Sequence, residues 1–169
     1  QMAAIIGPNG AGKTTVFNLI TGVYAPTEGE IWFDGNRIAS PRKSLRPHRL
    51  NESGIARTFQ NIRLFADLSV EDNVRCAFTA HDGSNLADTF LHTGKYFSAE
   101  KKIHREALEL LDIFGLLKLR HTLARNLAYG DQRKLEIVRA LATRPELLLL
   151  DEPSSGMNPS ETRDVTQRI

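Results

Sequence analysis

The chain has 169 residues, 41% of them apolar, and a formal net charge of +2 at pH 7, which suits one α/β domain, whole or slightly incomplete, with ample material for a core. The near balance of charge gives no electrostatic case for a nucleic-acid partner, and the single cysteine, Cys76, rules out an internal disulfide and fits a reducing compartment, most simply as a buried or half-buried residue. No apolar run approaches the roughly 20 residues of a membrane-spanning helix and no signal-peptide pattern is seen, so any membrane is expected to be met through a partner.

In chain order, Met2 to Ile6 predicts a buried strand and Lys13 to Thr21 a helix stopped at Gly22. Glu30 to Phe33 alternates, then meets Asp34-Gly35, a strong hairpin signal, before Arg37-Ile38. Pro47 to Glu52 predicts a short helix ending near Gly54, and Ile55 to Phe59 a further strand. Ser69 followed by Asp72 has the form of an N-cap with an acidic third residue, opening a helix towards Ala80. Residues 81–96 are polar and irregular. Ser98 caps an amphipathic helix whose apolar stripe is Ile103, Ala107, Leu110, Leu111 and Phe114, with Gly115 as its end. Asp131 to Thr143 predicts a second, with Leu135, Val138, Leu141 and Ala142 inward and Pro145 as the stop. Leu147 to Leu150 is a continuous apolar run, the mark of a parallel strand covered on both faces. Ser160 to Ile169 predicts a helix still running at the last residue, and Gln1 leads at once into a strand expected to be central. A piece of a longer protein is therefore expected.

Three segments carry chemistry. Gly7-Pro8-Asn9-Gly10-Ala11-Gly12-Lys13-Thr14-Thr15 fits a phosphate-binding loop, set between a strand and a helix as the motif requires. Glycines let backbone N–H groups approach phosphate oxygens, and the helix adds its positive end. Lys13 supplies a point charge for the β- and γ-phosphates, and the Thr14 hydroxyl can ligate Mg²⁺. The second segment is Leu147 to Pro153, where a strand delivers Asp151 and Glu152 at its C-terminal end, the ligand-binding edge of open α/β sheets. Asp151 can hold the metal shell opposite Thr14, and Glu152 can polarise a water for attack on the γ-phosphate. The third runs from Leu127 to Arg133, where Ala128, Tyr129, Gly130 and Asp131 stand at a helix N-terminus and leave backbone N–H groups for a second anion site. One triphosphate does not need two such sites, but two chains meeting head to tail could each supply one.

With these segments in view, the chain resembles the ATP-binding subunits of ABC transporters over essentially its full length. GPNGAGKTT matches their Walker A loop, LLLLDEP their Walker B strand, and LAYGDQRKLEIVRAL (residues 127–141) their signature motif and following helix. Thr58-Phe59-Gln60 matches the loop whose glutamine reaches the metal and the attacking water, and residues 155–158 fall where the D-loop lies, with Asn158 replacing the usual Asp. LAYGDQR, DEPSSGMNP and FNLITGVYAPTEGEI are worded like the ATPases of branched-chain amino-acid uptake systems.

The resemblance implies an α/β P-loop core with a mainly parallel sheet and an inserted α-helical subdomain. Residues 1–60 would form the first part of the core, 61–126 the helical insert, and 127–169 the signature, Walker B and D-loop. It implies ATP and Mg²⁺ as ligands, Gln60 and Glu152 as catalytic residues, and Thr14, Gln60 and Asp151 around the metal. Its partners would be a second ATP-binding subunit, membrane permeases and, indirectly, a periplasmic solute-binding protein, at the cytoplasmic face of the inner membrane. No nucleic-acid partner is implied. The apolar residues after Gln60 (Ile62, Leu64, Phe65 and Leu68) would either dock the permease or fill the insert's own core. Alternatives are an ABC ATPase for another cargo such as lipopolysaccharide or urea, a soluble non-transport ABC ATPase, a small-molecule P-loop kinase, and a regulatory nucleotide binder without turnover.

Three departures stand out. Ala128 replaces a serine that bonds the γ-phosphate in many members, the adenine-stacking aromatic lies upstream of Walker A in the family and Tyr24 does not substitute for it, and the switch histidine lies after Walker B. All five histidines here (His48, His81, His92, His104, His121) precede Asp151; they read as surface residues without a metal-binding spacing.

Overall fold

The structure is a computed structural model and describes residues 3–8, 10–59, 61–79 and 94–152. The expected D-loop at 155–158 and the expected helix at 160–169 lie outside the described residues, as do Met2, Asn9, Gln60, His81 and His92.

Helix α1 (Lys13–Ile20) forms where the sequence predicts it and ends at Thr21 and Gly22. Gly22 has φ 70°, and a Cβ there would stand 2.3 Å from the Leu45 carbonyl oxygen, so both conformation and space demand glycine. A three-stranded antiparallel sheet follows: β1 (Ile31–Phe33), β2 (Asn36–Ser40) and β3 (Lys43–Ser44). Asp34 and Gly35 both have positive φ, 44° and 71°, which is the backbone of the primed two-residue turn that matches strand twist. β3 is two residues long and leaves no periodicity to read. Helix α2 (Pro47–Glu52) opens on proline, whose fixed φ suits the first helical position, and leads to β4 (Ile55–Arg57).

Helix α3 (Val70–Thr79) is capped as expected: the Ser69 hydroxyl accepts the Asp72 N–H at 3.0 Å and donates to the Asp72 carboxylate at 2.6 Å. Cys76, expected to be at least half-buried, is exposed. It lies roughly 200° around the helix from Val74, whose side chain points into the core. Helix α4 (Gly94–Ile113) starts a turn before Ser98 and ends at Gly115, φ 71°, where the Leu116 N–H reaches the Leu111 carbonyl at 2.7 Å. Helix α5 (Tyr129–Ala142) starts two residues before Asp131, and β5 (Leu147–Leu149) follows. Two short 3-10 turns, Leu117–Leu119 and Ala124–Asn126, connect α4 to α5. No helix among the described residues is long and apolar enough to cross a membrane.

The apolar stripes converge on two cores. One gathers Val70, Val74, Phe78, Ile103, Ala107, Leu111 and Phe114 with Leu135, Ile137, Val138 and Ala142, from α3, from α4 and the residue just after it, and from α5. The other gathers Ile38, Leu50, Ile55 and Leu149, with Phe17 and Ile20 of α1 packed against it. Each large apolar side chain so buried contributes about 1.5–3 kcal/mol. Asn73, fully buried, ties the segment before α3 to the helix: its Oδ1 accepts the Phe65 N–H at 3.0 Å, and its Nδ2 donates to the carbonyls of Phe65, Leu68 and Ser69.

Two strand expectations need correction. Ala3 to Ile6 is irregular and exposed, Ile6 at 92%. A strand exists by pairing, and no described strand lies beside this segment to supply a ladder. β5 does pair in parallel, Ile55 with Leu147 through Arg57 with Leu149, but only Leu149 is buried; Leu147 and Leu148 stay half-exposed because β4 is its single neighbour among the described residues.

Candidate functional site

The parallel register places the C-terminal ends of β4 and β5 side by side. Thr58 and Phe59 therefore emerge next to Leu150, Asp151 and Glu152: the Thr58 N–H donates to the Leu149 carbonyl at 3.0 Å, and the Asp151 N–H reaches the Thr58 hydroxyl at 3.4 Å. Acidic residues at this edge follow from strand direction alone.

The phosphate loop lies at the start of α1. Gly10 and Gly12 have φ 86° and 87°, a left-handed backbone that glycine adopts without penalty, and a Cβ at either would touch nothing within 4 Å. Gly12 caps the helix without a side-chain hydrogen bond, so the first-turn N–H groups and the positive end of α1 face an open cradle. The loop fits a phosphate group on those grounds. Lys13 does not extend freely: its ammonium donates to the Gly7 carbonyl at 2.6 Å and the Pro8 carbonyl at 2.9 Å. A phosphate must outcompete two neutral acceptors, which a charged one can do. Thr14 and Thr15 are exposed.

One side chain joins the loop's helix to the acidic edge. Arg57, at the end of β4, donates to Asn18 Oδ1 at 2.7 Å and Thr21 Oγ1 at 3.0 Å on and just after α1, and to Asp151 Oδ2 at 2.9 Å. Its guanidinium lies over the rings of Phe17 and Phe59, 5.6 and 5.3 Å from their centroids. Arg57 fixes the Asp151 carboxylate by one oxygen and leaves the other without a partner among the described residues. That free oxygen and the exposed Thr14 hydroxyl are the hard oxygen donors Mg²⁺ takes, usually alongside substrate phosphates rather than in an all-protein cage. No group of three or more His, Cys, Asp or Glu positioned for a metal occurs among the described residues.

Glu152 is exposed at the same edge with φ 47°, a left-handed conformation for a residue directly before proline. Such a backbone is costly outside glycine and persists only where its surroundings hold it. The segment from Ala128 to Asp131 opens α5 with no side-chain cap; Tyr129 is 47% exposed, Gly130 is buried, and Asp131 is paired loosely with Lys134 at 3.8 Å.

Sequence reasoning missed Arg57, Arg133 and Glu136. The last two are buried on α5 and touch the backbone of both strand ends. Their only trace was an opposite-charge pair three apart, a spacing that normally marks a solvated face.

The sequence profile of the family described as "ABC transporter" matches residues 1–155. The chain belongs to the ABC transporter family. It is 42% identical over its whole length to the high-affinity branched-chain amino acid transport ATP-binding protein BraF of Pseudomonas aeruginosa, covering 65% of that protein. It is 40% identical to the corresponding protein LivG of Escherichia coli, again over the whole chain and 65% of the relative. The chain thus spans just under two thirds of the length of these relatives. Among solved structures it is similar to MJ1267, an ATP-binding cassette of an ABC transporter in its ADP conformation, with TM-score 0.74 and 29% identity over 96% of this chain and 62% of that one. It is also similar to the ATP-binding cassette MJ0796, a dimer bound to ADP and Pi, with TM-score 0.73 and 25% identity over 95% of this chain and 64% of that one. The ABC ATPase cassette is therefore the fold of this ABC transporter family member, as its motifs implied.

Proposed function

We propose that this ABC transporter family member is the ATP-binding and hydrolysing part of an importer for branched-chain amino acids. The observation that supports this reading is Arg57, which ties Asn18 and Thr21, at the C-terminal end of the helix that follows the phosphate loop, to Asp151 at the acidic strand end. The branched-chain amino acid transport named for BraF and LivG supports the cargo.

In this reading the loop N–H groups and Lys13 hold the β- and γ-phosphates. Thr14, Gln60 and Asp151 hold Mg²⁺, which would neutralise phosphate charge. Glu152 accepts a proton from the attacking water as the bond to the γ-phosphorus forms, and ADP leaves with the electron pair. Ala128 to Asp131 present a second capless helix N-terminus to the γ-phosphate bound by another ATP-binding chain, so two chains enclose two nucleotides. Residues 1–60 and 127–169 serve as the nucleotide core and 61–126 as a helical insert. The assembly sits peripherally at the cytoplasmic membrane face, on permeases served by a periplasmic solute-binding protein.

The test is reconstitution of the full-length subunit with its permeases in proteoliposomes. Expected is Mg-ATP hydrolysis that rises when leucine-loaded binding protein is added outside. Absence of hydrolysis rejects the activity; hydrolysis indifferent to branched-chain amino acids but stimulated by another solute rejects the cargo.

Permease docking belongs on the segment just after Gln60. Of its apolar residues, Leu64 packs against the helical core, whereas Phe65 is 50% and Leu68 36% exposed. The Phe65 ring lies 4.6 Å from the Arg139 guanidinium, whose pKa burial lowers from its ordinary value. Phe65→Asp should keep the soluble subunit folded with near-normal basal ATPase, since the side chain is half in solvent, yet abolish co-purification with the permeases and transport. Unfolding of that variant, measured by circular dichroism, would return Phe65 to the core.

A further inference from the structure

Helix α5 carries one ion pair that the chemistry above does not use. Arg133 and Glu136 are three residues apart and almost wholly buried, with side chains 1% and 7% exposed, and bond to each other at 2.6 Å. Neither stops at its partner. Glu136 Oε1 accepts the Phe59 N–H at 3.1 Å, and Arg133 Nη1 donates to the Phe59 carbonyl, so both backbone groups of the residue preceding Gln60 are gripped from one helix. Arg133 Nη2 donates to the Asp151 carbonyl at 2.7 Å and the Glu152 carbonyl at 3.1 Å. A single pair therefore ties together three segments of the site: the backbone of Phe59 after β4, the backbone of Asp151 and Glu152 after β5, and helix α5.

We propose that the Arg133–Glu136 clasp is a positioning device for hydrolysis, holding Glu152 in its left-handed backbone and fixing its distance from the Phe59 backbone. The proposal rests on the reading that Glu152 is the general base. Glu152 needs such a hold: its φ of 47°, directly before Pro153, is a conformation the local chain opposes. Two carbonyls in succession accept from one guanidinium nitrogen there, and a planar guanidinium is the side chain able to spread its donors over several fixed acceptors while paired to a carboxylate. Lysine carries the charge but not the fork. Burying two charges adds little stability on balance, because desolvation offsets much of their attraction. Geometry at the acidic edge is what the pair supplies.

Two variants of the full-length subunit in its transporter test this, with kcat and KM for Mg-ATP, nucleotide affinity and Tm all measured. Arg133→Lys should lower kcat on the order of 10–100-fold, the scale of a small misplacement of a catalytic group, with KM within about threefold of wild type. The double variant Arg133→Met/Glu136→Leu keeps volume and removes both charges, which for the pair itself is often neutral, but it leaves the Phe59, Asp151 and Glu152 backbone groups without these partners, so a lower Tm is expected. Assayed well below that Tm, it should bind Mg-ATP with near wild-type affinity and still show the low kcat, which a purely structural ion pair would not produce. A double variant with wild-type kcat overturns the clasp, as does a KM that rises while kcat holds. A wild-type protein without ATPase overturns both the clasp and the proposed function; normal wild-type hydrolysis with unaffected variants overturns the clasp alone.

Discussion

Glu152→Gln in the full-length subunit should lower kcat for ATP hydrolysis by about 10²–10⁴-fold, the usual range for loss of a general base, while nucleotide affinity changes little. Glutamine has the same size and can take the same backbone position, so the Arg133 contact to the residue 152 carbonyl survives. Under the proposed mechanism only the proton acceptor is lost. The structure places this carboxylate in solvent at the strand end, beside an Asp151 already committed to Arg57 and therefore less free to act as base. Hydrolysis normally separates two ATP-holding chains, so a variant that binds but does not cleave should accumulate as an ATP-bound dimer on gel filtration. An acidic residue that merely solvates a turn would show neither effect, and a near-normal rate in the variant would remove Glu152 from its assigned role.

Lys13→Ala should act at the opposite step. The ammonium now bonds two carbonyls of its own loop, and these remain exposed enough to be hydrated when it is gone, so the fold should tolerate the change. Under the proposed role, what disappears is a charged hydrogen bond to the terminal phosphates. Such bonds contribute about 1.5–3 kcal/mol, which is roughly ten- to a hundredfold in Kd. Isothermal titration with Mg-ATP reads the loss directly. Because ADP lacks the γ-phosphate, its affinity should fall less than that of ATP. Equal binding of ATP by wild type and variant would mean that Lys13 stays on its own carbonyls in the complex.

Local chemistry made much of the fold legible before any tertiary structure. Asp34-Gly35 demands a primed turn because only such residues accept two positive φ angles in succession, and the hairpin formed there. Gly115, Pro47 and the Ser69–Asp72 cap mark helix ends through backbone preferences that need no distant partner. The helical stripes were equally plain: Ile103, Ala107, Leu111 and Phe114 recur at the helical period, and all four are buried. The positions of the glycine-rich loop before α1 and of the Asp151–Glu152 strand end were legible for the same reason, since each is written in consecutive residues.

Strand coverage was not legible, because it depends on neighbours. Ala3 to Ile6 has the composition of a buried strand, yet without a ladder partner among the described residues it is neither paired nor buried. Cys76 differs from its expectation because which way a helix turns one side chain depends on what packs against it. α5 was expected to bury one face, Leu135, Val138, Leu141 and Ala142, but Leu141 is only half-buried, and Gly130, Arg133, Glu136 and Ile137 are buried as well.

Residue order alone therefore settles what is contiguous: the glycine loop that can accept phosphate, the helix signals, the adjacent carboxylates. Tertiary structure alone decides which distant groups meet. Arg57 reaches Asp151 across 94 positions, and Arg133 and Glu136 reach Phe59 across 74 and 77. An arginine on a strand and a charged pair on a helix look like solvent-facing residues in one dimension. They become site residues only when folding sets them against the ends of β4 and β5, where their partners are the Asp151 carboxylate and the backbone of Phe59, Asp151 and Glu152.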